Sequence, residues 1–118
     1  MIKIGFKEGV DEKEILLLTS LMSALLLKFS MEAAMRGESV TITSIRDKAR
    51  NRISNSHAEG RAVDIRTRDW SIDPKQFCDE FNETYERQFG SVNGQIIQKP
   101  CVYHDNGGGW HFHLQSLK

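Results

Sequence analysis

The chain has 118 residues, and its 16 lysines and arginines are matched by 16 aspartates and glutamates. That length suits one domain around one core, and the even charge leaves no bulk field to draw the protein onto nucleic acid or an anionic membrane. Two cysteines are too few for a disulfide framework, and the composition is neither that of a disordered chain nor that of a repeat.

In chain order, residues 1–7 read as a short edge strand. Asp11 opens a helix, with Glu14 three residues on as its capping-box partner. Apolar residues then crowd most faces from Ile15 to Leu27 and continue at Phe29, Met31, Ala34 and Met35, until Gly37 supplies a stop. A helix this apolar should be wrapped by other elements. Glu8, Asp11, Glu12 and Glu14 precede the apolar run, where a secretion signal wants a positive flank. Thr19, Ser20 and Ser23 interrupt it, and it falls short of the ~20 apolar residues that span a bilayer. The run therefore reads as a core helix, with no membrane insertion and no visible export route, so the expected location is cytoplasmic as synthesised.

Residues 39–45 are rich in Val, Ile and Thr and read as a strand. The polar, basic stretch 45–56 reads as loop or a short helical turn. A second strand is expected at 62–67. Asp73, Pro74 and Gln76 mark a helix start with proline at its first position. Phe77, Phe81, Tyr85 and Phe89 draw an aromatic stripe along that helix toward the core, and Gly90 ends it. After the Asn93-Gly94 turn, three closing strands are expected at 95–98, 101–104 and 110–115. Cys78 and Cys101 are expected as buried thiols, with a disulfide or redox role as the alternative, and Trp110 as a cap on the core or the lining of a substrate groove, the core being favoured. The pattern suggests an α+β fold, a mostly antiparallel sheet packed on a long N-terminal helix and a second helix.

The four histidines fall in two places, His57 and the group His104, His111 and His113. Alternation along the last strand sets His111, His113 and Gln115 on one face and turns Phe112 and Leu114 to the core. Two imidazoles side by side suit a metal site or an acid–base pair, and equally a solvated strand face. In the second strand Val63 and Ile65 take the buried face, which leaves Asp64 on the other. Imidazole and carboxylate both bind Zn²⁺ at ~2.0–2.2 Å, and three protein ligands plus one open position are the pattern of a catalytic zinc.

His57, Gly60, Ala62 and Asp64 form a His-x-x-Gly-x-Ala-x-Asp series that resembles the signature of the zinc D-alanyl-D-alanine peptidases. That superfamily includes lysostaphin-type and penicillin-insensitive endopeptidases and the Hedgehog signalling domain. Residues 57–65 and the closing His111-Phe112-His113 look closest to the Hedgehog domain, and Thr43-Ser44-Ile45-Arg46 is similar to a Ser-x-x-Arg-type segment upstream in the peptidases. The resemblance spans residues 39–115. It implies one zinc ion with ligands His57, Asp64 and His113, His111 beside the metal to steady a developing oxyanion, and Arg46 as a substrate clamp.

The chain departs from the family pattern where many members carry an acidic base three residues before the last ligand. Trp110 stands there, with Gly108 two further back, so Asp105 and His104 are the substitutes on offer. Asn55, between Ser54 and Ser56, stands where the peptidases usually have Ser. Gly107-Gly108-Gly109 reads as a mobile lip over the site or as an ordinary hairpin turn. Arg61, Arg66 and Arg68 with Lys48, Arg50 and Arg52 make a locally basic region whose default reading is a solvated face. The expectation is a monomeric zinc peptidase acting on peptidoglycan peptides, either a cytosolic enzyme or a phage-type lysin released by another factor. The alternative is a zinc-stabilised binding module without turnover.

Overall fold

The computed structural model describes residues 2–45, 59–105 and 107–118. Among the described residues, seven strands and two α-helices form an α+β fold. The strands are β1 (Ile4–Phe6), β2 (Val40–Ser44), β3 (Ala62–Arg66), β4 (Ser91–Val92), β5 (Gln95–Ile96), β6 (Cys101–Asp105) and β7 (Trp110–Gln115), and the helices α1 (Ser20–Met35) and α2 (Pro74–Phe89). The main sheet runs in the order β1-β2-β3-β7-β6. It is mixed: β1 pairs parallel to β2, and the other three pairings are antiparallel.

The apolar positions of the strands face one side. Val40, Ile42, Ile45, Val63, Ile65, Cys101, Phe112 and Leu114 are buried there against Met22, Leu25, Leu26, Phe29 and Ala33 of α1 and Phe77, Cys78, Phe81 and Phe89 of α2. Phe29 is the hub, with the rings of Phe77, Phe81 and Phe112 at 5.2–5.3 Å in edge-on geometry. The aromatic stripe of α2 is thus core, as its four-residue spacing implies. The Asn82 amide ties α2 to β6, donating to the Cys101 carbonyl at 2.8 Å and accepting its N–H at 2.9 Å. Cys78 and Cys101 are buried free thiols, as expected.

Four expectations need correction. No single helix runs from Asp11: a 3-10 helix at Glu12–Leu17 is followed by extended Leu18 and Thr19, and α1 begins anew at Ser20. Thr19 is the cap whose hydroxyl accepts from the Met22 N–H, and its own N–H is drawn off to the Gly60 carbonyl at 3.0 Å. The Asp11 carboxylate accepts from the Lys13 N–H, and the Glu14 N–H goes instead to the Asp11 carbonyl at 3.0 Å. Secondly, α1 is not wrapped on all sides, because Leu27, Met31 and Met35 stand exposed along one face. Thirdly, 95–98 does not join the main sheet; β4 and β5 make a separate hairpin around Asn93 and Gly94, both at positive φ as a tight primed turn requires. Fourthly, Trp110 does not cap the core. It is 58% exposed and leans on Tyr103, ring centroids 4.9 Å apart.

Candidate functional site

The face of the sheet away from the helices gathers the chemistry. Cross-strand register sets Ser44 opposite Asp64, Asp64 opposite His113, and His111 opposite His104. Directly opposed residues share a face, so β2, β3, β7 and β6 each contribute to one cluster. His113 Nδ1 lies 2.9 Å from Asp64 Oδ1, and His111 Nε2 lies 4.0 Å from the same oxygen. The His104 ring centroid is 4.7 Å from that of His111 and 5.9 Å from that of His113.

Asp64 is 6% exposed, unusual for a carboxylate, and its burial demands partners. His111 Nδ1 sits 2.9 Å from the Gly109 carbonyl, which only a protonated Nδ1 can satisfy. That bond turns Nε2 of His111 inward to the cluster. There it and Nε2 of His104 are buried without a hydrogen-bond partner among the described residues. Burial, reinforced by the neighbouring imidazoles of His111 and His113, pushes the His104 pKa below its ordinary value against the opposing pull of Asp64 and Asp105. Unpaired ring nitrogens in a buried polar cluster are costly unless a ligand completes them.

Asp105 stands apart from this cluster. Alternation along β6 turns it to the face opposite His104, with Trp110 as its register partner. Its Oδ1 accepts the N–H groups of Gly107 and Gly109 at 2.8 and 3.1 Å, so the carboxylate organises the glycine turn. Of the two base candidates, His104 is the one that shares the face of Asp64. His57 and Arg46 lie outside the described residues.

Ser44 is the member of the cluster that strand alternation misses. With Val40 and Ile42 inward, simple alternation turns Ser44 inward too. A bulge between Ile42 and Ser44 adds a residue, so that Ile45 takes the next core position and Ser44 comes to the face of Asp64. The apolar Ile45 one place late was the signal. Ser44 Oγ is buried and, among the described residues, unpartnered.

Donor chemistry and spacing suit a metal in part. Two ligand atoms on one tetrahedral zinc stand about 3.4 Å apart, given bonds of ~2.0–2.2 Å. The 2.9 Å contact between His113 Nδ1 and Asp64 Oδ1 reaches that value by opening slightly. Among the described residues, however, no three His, Cys, Asp or Glu side chains form a group able to hold a metal. A third donor would have to come from the segment 46–58, which contains His57. Among the described residues, no helix is long and apolar enough to cross a membrane. Comparison of the chain with protein-family models, with curated proteins and with solved structures finds no match.

Proposed function

We propose that this chain is a zinc-dependent peptidase that hydrolyses a peptide bond in the stem or cross-link peptides of peptidoglycan, with a Hedgehog/D-alanyl-D-alanine-peptidase-like fold. The observation that carries the reading is the convergence of Asp64, His104, His111 and His113 on one sheet face, with two inward ring nitrogens that have no hydrogen-bond partner among the described residues. Asp64, His113 and His57 would hold the ion. Held there, zinc would supply Lewis acidity, which would bring the pKa of a bound water to roughly 7 and polarise the scissile carbonyl.

The chain's own groups do the rest. His104 Nε2, close to His111 and His113 and without a hydrogen-bond partner among the described residues, takes the proton of the attacking water and returns it to the leaving amine. His111, its Nδ1–H donating to the Gly109 carbonyl, serves the oxygen on which charge develops as an imidazolium, its Nε2–H donating to that oxygen. Arg46 receives a substrate carboxylate or carbonyl through its planar fork. The glycine turn that Asp105 organises carries the Gly109 carbonyl, so Asp105 acts on the site through His111 and not as the base.

A second reading, a zinc-stabilised binding module without turnover, is favoured by one feature. Among the cluster residues described here, Asp64 supplies the sole carboxylate, and a ligand carboxylate cannot also serve as base. Mass spectrometry of purified wall peptides incubated with zinc-loaded protein separates the two, with a chelated sample and a His113→Ala variant as controls. A new fragment that disappears in both controls supports the peptidase and names the bond. No fragment, despite tightly bound zinc, moves the assignment to the binding module.

A further inference from the structure

Cys78 and Cys101 are the chain's two thiols, and the fold brings them together from 23 positions apart in sequence. Cys78 lies on α2 and Cys101 opens β6, so they meet where the helix packs on the outer strand of the main sheet. One side chain fixes the meeting point. The Asn82 amide, one helical turn beyond Cys78, holds both backbone groups of Cys101 at 2.8 and 2.9 Å and stands 3.7 Å from Cys78 Sγ. The Cys78 thiol donates to the Cys101 carbonyl at 3.3 Å. The two thiols are also hydrogen-bonded to each other.

The pair is not symmetric. Cys101 has no exposed surface, whereas Cys78 keeps 3%, beneath the exposed side chains of Lys75 and Asp79 on the same helix. The hydrogen bond from Cys101 lowers the Cys78 pKa against burial and Asp79, with help from the Lys75 ammonium. Burial, and then the bond to Cys78, pushes the Cys101 thiol up. A sulfur nearer the surface that favours its thiolate, with a protonated thiol directly behind it, is how an attacking and a resolving cysteine are placed.

We infer that Cys78 and Cys101 form a site of reversible oxidative modification, in which a peroxide oxidises Cys78 and Cys101 resolves it to a disulfide joining α2 to β6. The Cys78 thiolate attacks one oxygen of hydrogen peroxide, the O–O bond breaks, and the other oxygen leaves as hydroxide, which takes up the thiol's proton as water. Cys78 is then a sulfenic acid. The Cys101 sulfur attacks Cys78 Sγ, the S–O bond breaks, and the oxygen leaves with the Cys101 proton as a second water. Two electrons pass from the sulfurs to one peroxide. The second attack needs no solvent at Cys101, so its burial is no obstacle. Peroxide itself is little larger than water, which suits the narrow exposure of Cys78. The inference holds under either reading of the histidine cluster.

The test treats the folded protein with hydrogen peroxide, quenches with catalase, unfolds it in excess N-ethylmaleimide and weighs it by mass spectrometry. The expected product is about 2 Da lighter, takes up no maleimide, and regains both thiols with dithiothreitol. Arg87 gives trypsin a cut between the cysteines, so their two peptides stay together only if the bond has formed. Closing this loop should raise Tm by roughly 10 °C, and dithiothreitol should reverse the rise. In Cys101→Ala the same treatment should leave Cys78 as a sulfenic acid that dimedone traps. Two maleimides on every parent chain, after an exposure that fully oxidises free glutathione, overturn the inference. So does sulfinic or sulfonic acid in the parent without the cross-link, or a linked form that melts below the reduced protein, since the sulfurs would then have been dragged out of their native places.

Discussion

Gly60 joins the segment leading to Asp64 to the break before α1, and its replacement by alanine tests that joint. Its φ is +73°, and a Cβ built on it would stand 2.4 Å from the Leu17 carbonyl oxygen. The left-handed conformation costs an L-residue about 1–2 kcal/mol, of which the stiffer unfolded chain returns about 0.4–1 kcal/mol. The collision adds to this, because it is with backbone. Leu17 must retreat, and the Thr19 N–H bond to the Gly60 carbonyl, 3.0 Å long, goes with it for about 1 kcal/mol or more. The sum is about 2–3 kcal/mol. Unfolding entropy of about 2.1 cal/mol/K per residue makes this a fall in Tm of roughly 8–12 °C for a chain of this size. Gly37→Ala is the control, since Gly37 has φ +78° and nothing within 4 Å of its would-be Cβ. It should cost about 1 kcal/mol or less. Calorimetric melts of the two variants decide the matter. Equal losses would refute the collision and, with it, the claim that Gly60 packs against the helix break.

Other perturbations give sharply different expectations. Phe29→Ala removes the ring at the hub of the core and should cost about 3–5 kcal/mol, whereas Trp110→Ala, exposed and leaning on Tyr103, should cost under about 1 kcal/mol by denaturant titration. Burial pushes the Cys101 thiol well above its ordinary pKa, so a thiol reagent should leave Cys101 unmodified in native protein and label it only on unfolding. Tyr85 is raised by burial and then by its hydrogen bond to Glu32, which favours the neutral phenol in the folded state. Stability from this contact is therefore full below the unfolded tyrosine pKa and is lost as pH rises through the raised folded value. Ultraviolet titration should show one phenol ionising late, and Tyr85→Phe should abolish that late phase.

Much of this molecule is legible in its sequence because two short-range signals agree with the packing. The four-residue spacing of Phe77, Phe81, Tyr85 and Phe89 sets the core face of α2, and the alternation of His111, Phe112, His113 and Leu114 sets β7. Those same alternations bring Asp64 and the three C-terminal histidines to one face, since cross-strand register follows once the faces are chosen. What was not legible depends on tertiary partners. The run from Ile15 to Met35 reads as one helix until Gly60 takes the Thr19 N–H. Trp110 reads as core by its size, but it stands at the strand end where the helices do not cover it. Ser44 reads as inward until the bulge before it is known. Asp105 is adjacent to His104 in sequence, and for that reason alone a strand sets it on the opposite face.

The central claim is tested most directly by zinc content after exhaustive dialysis, measured by mass spectrometry of the metal in the parent, His57→Ala, Asp64→Ala and His113→Ala proteins, each checked for folding by circular dichroism. The expected result is one equivalent of zinc in the parent and a large loss in each folded variant. A folded parent that holds no zinc when zinc is supplied, or a His113→Ala protein that keeps its full equivalent, would contradict the assignment.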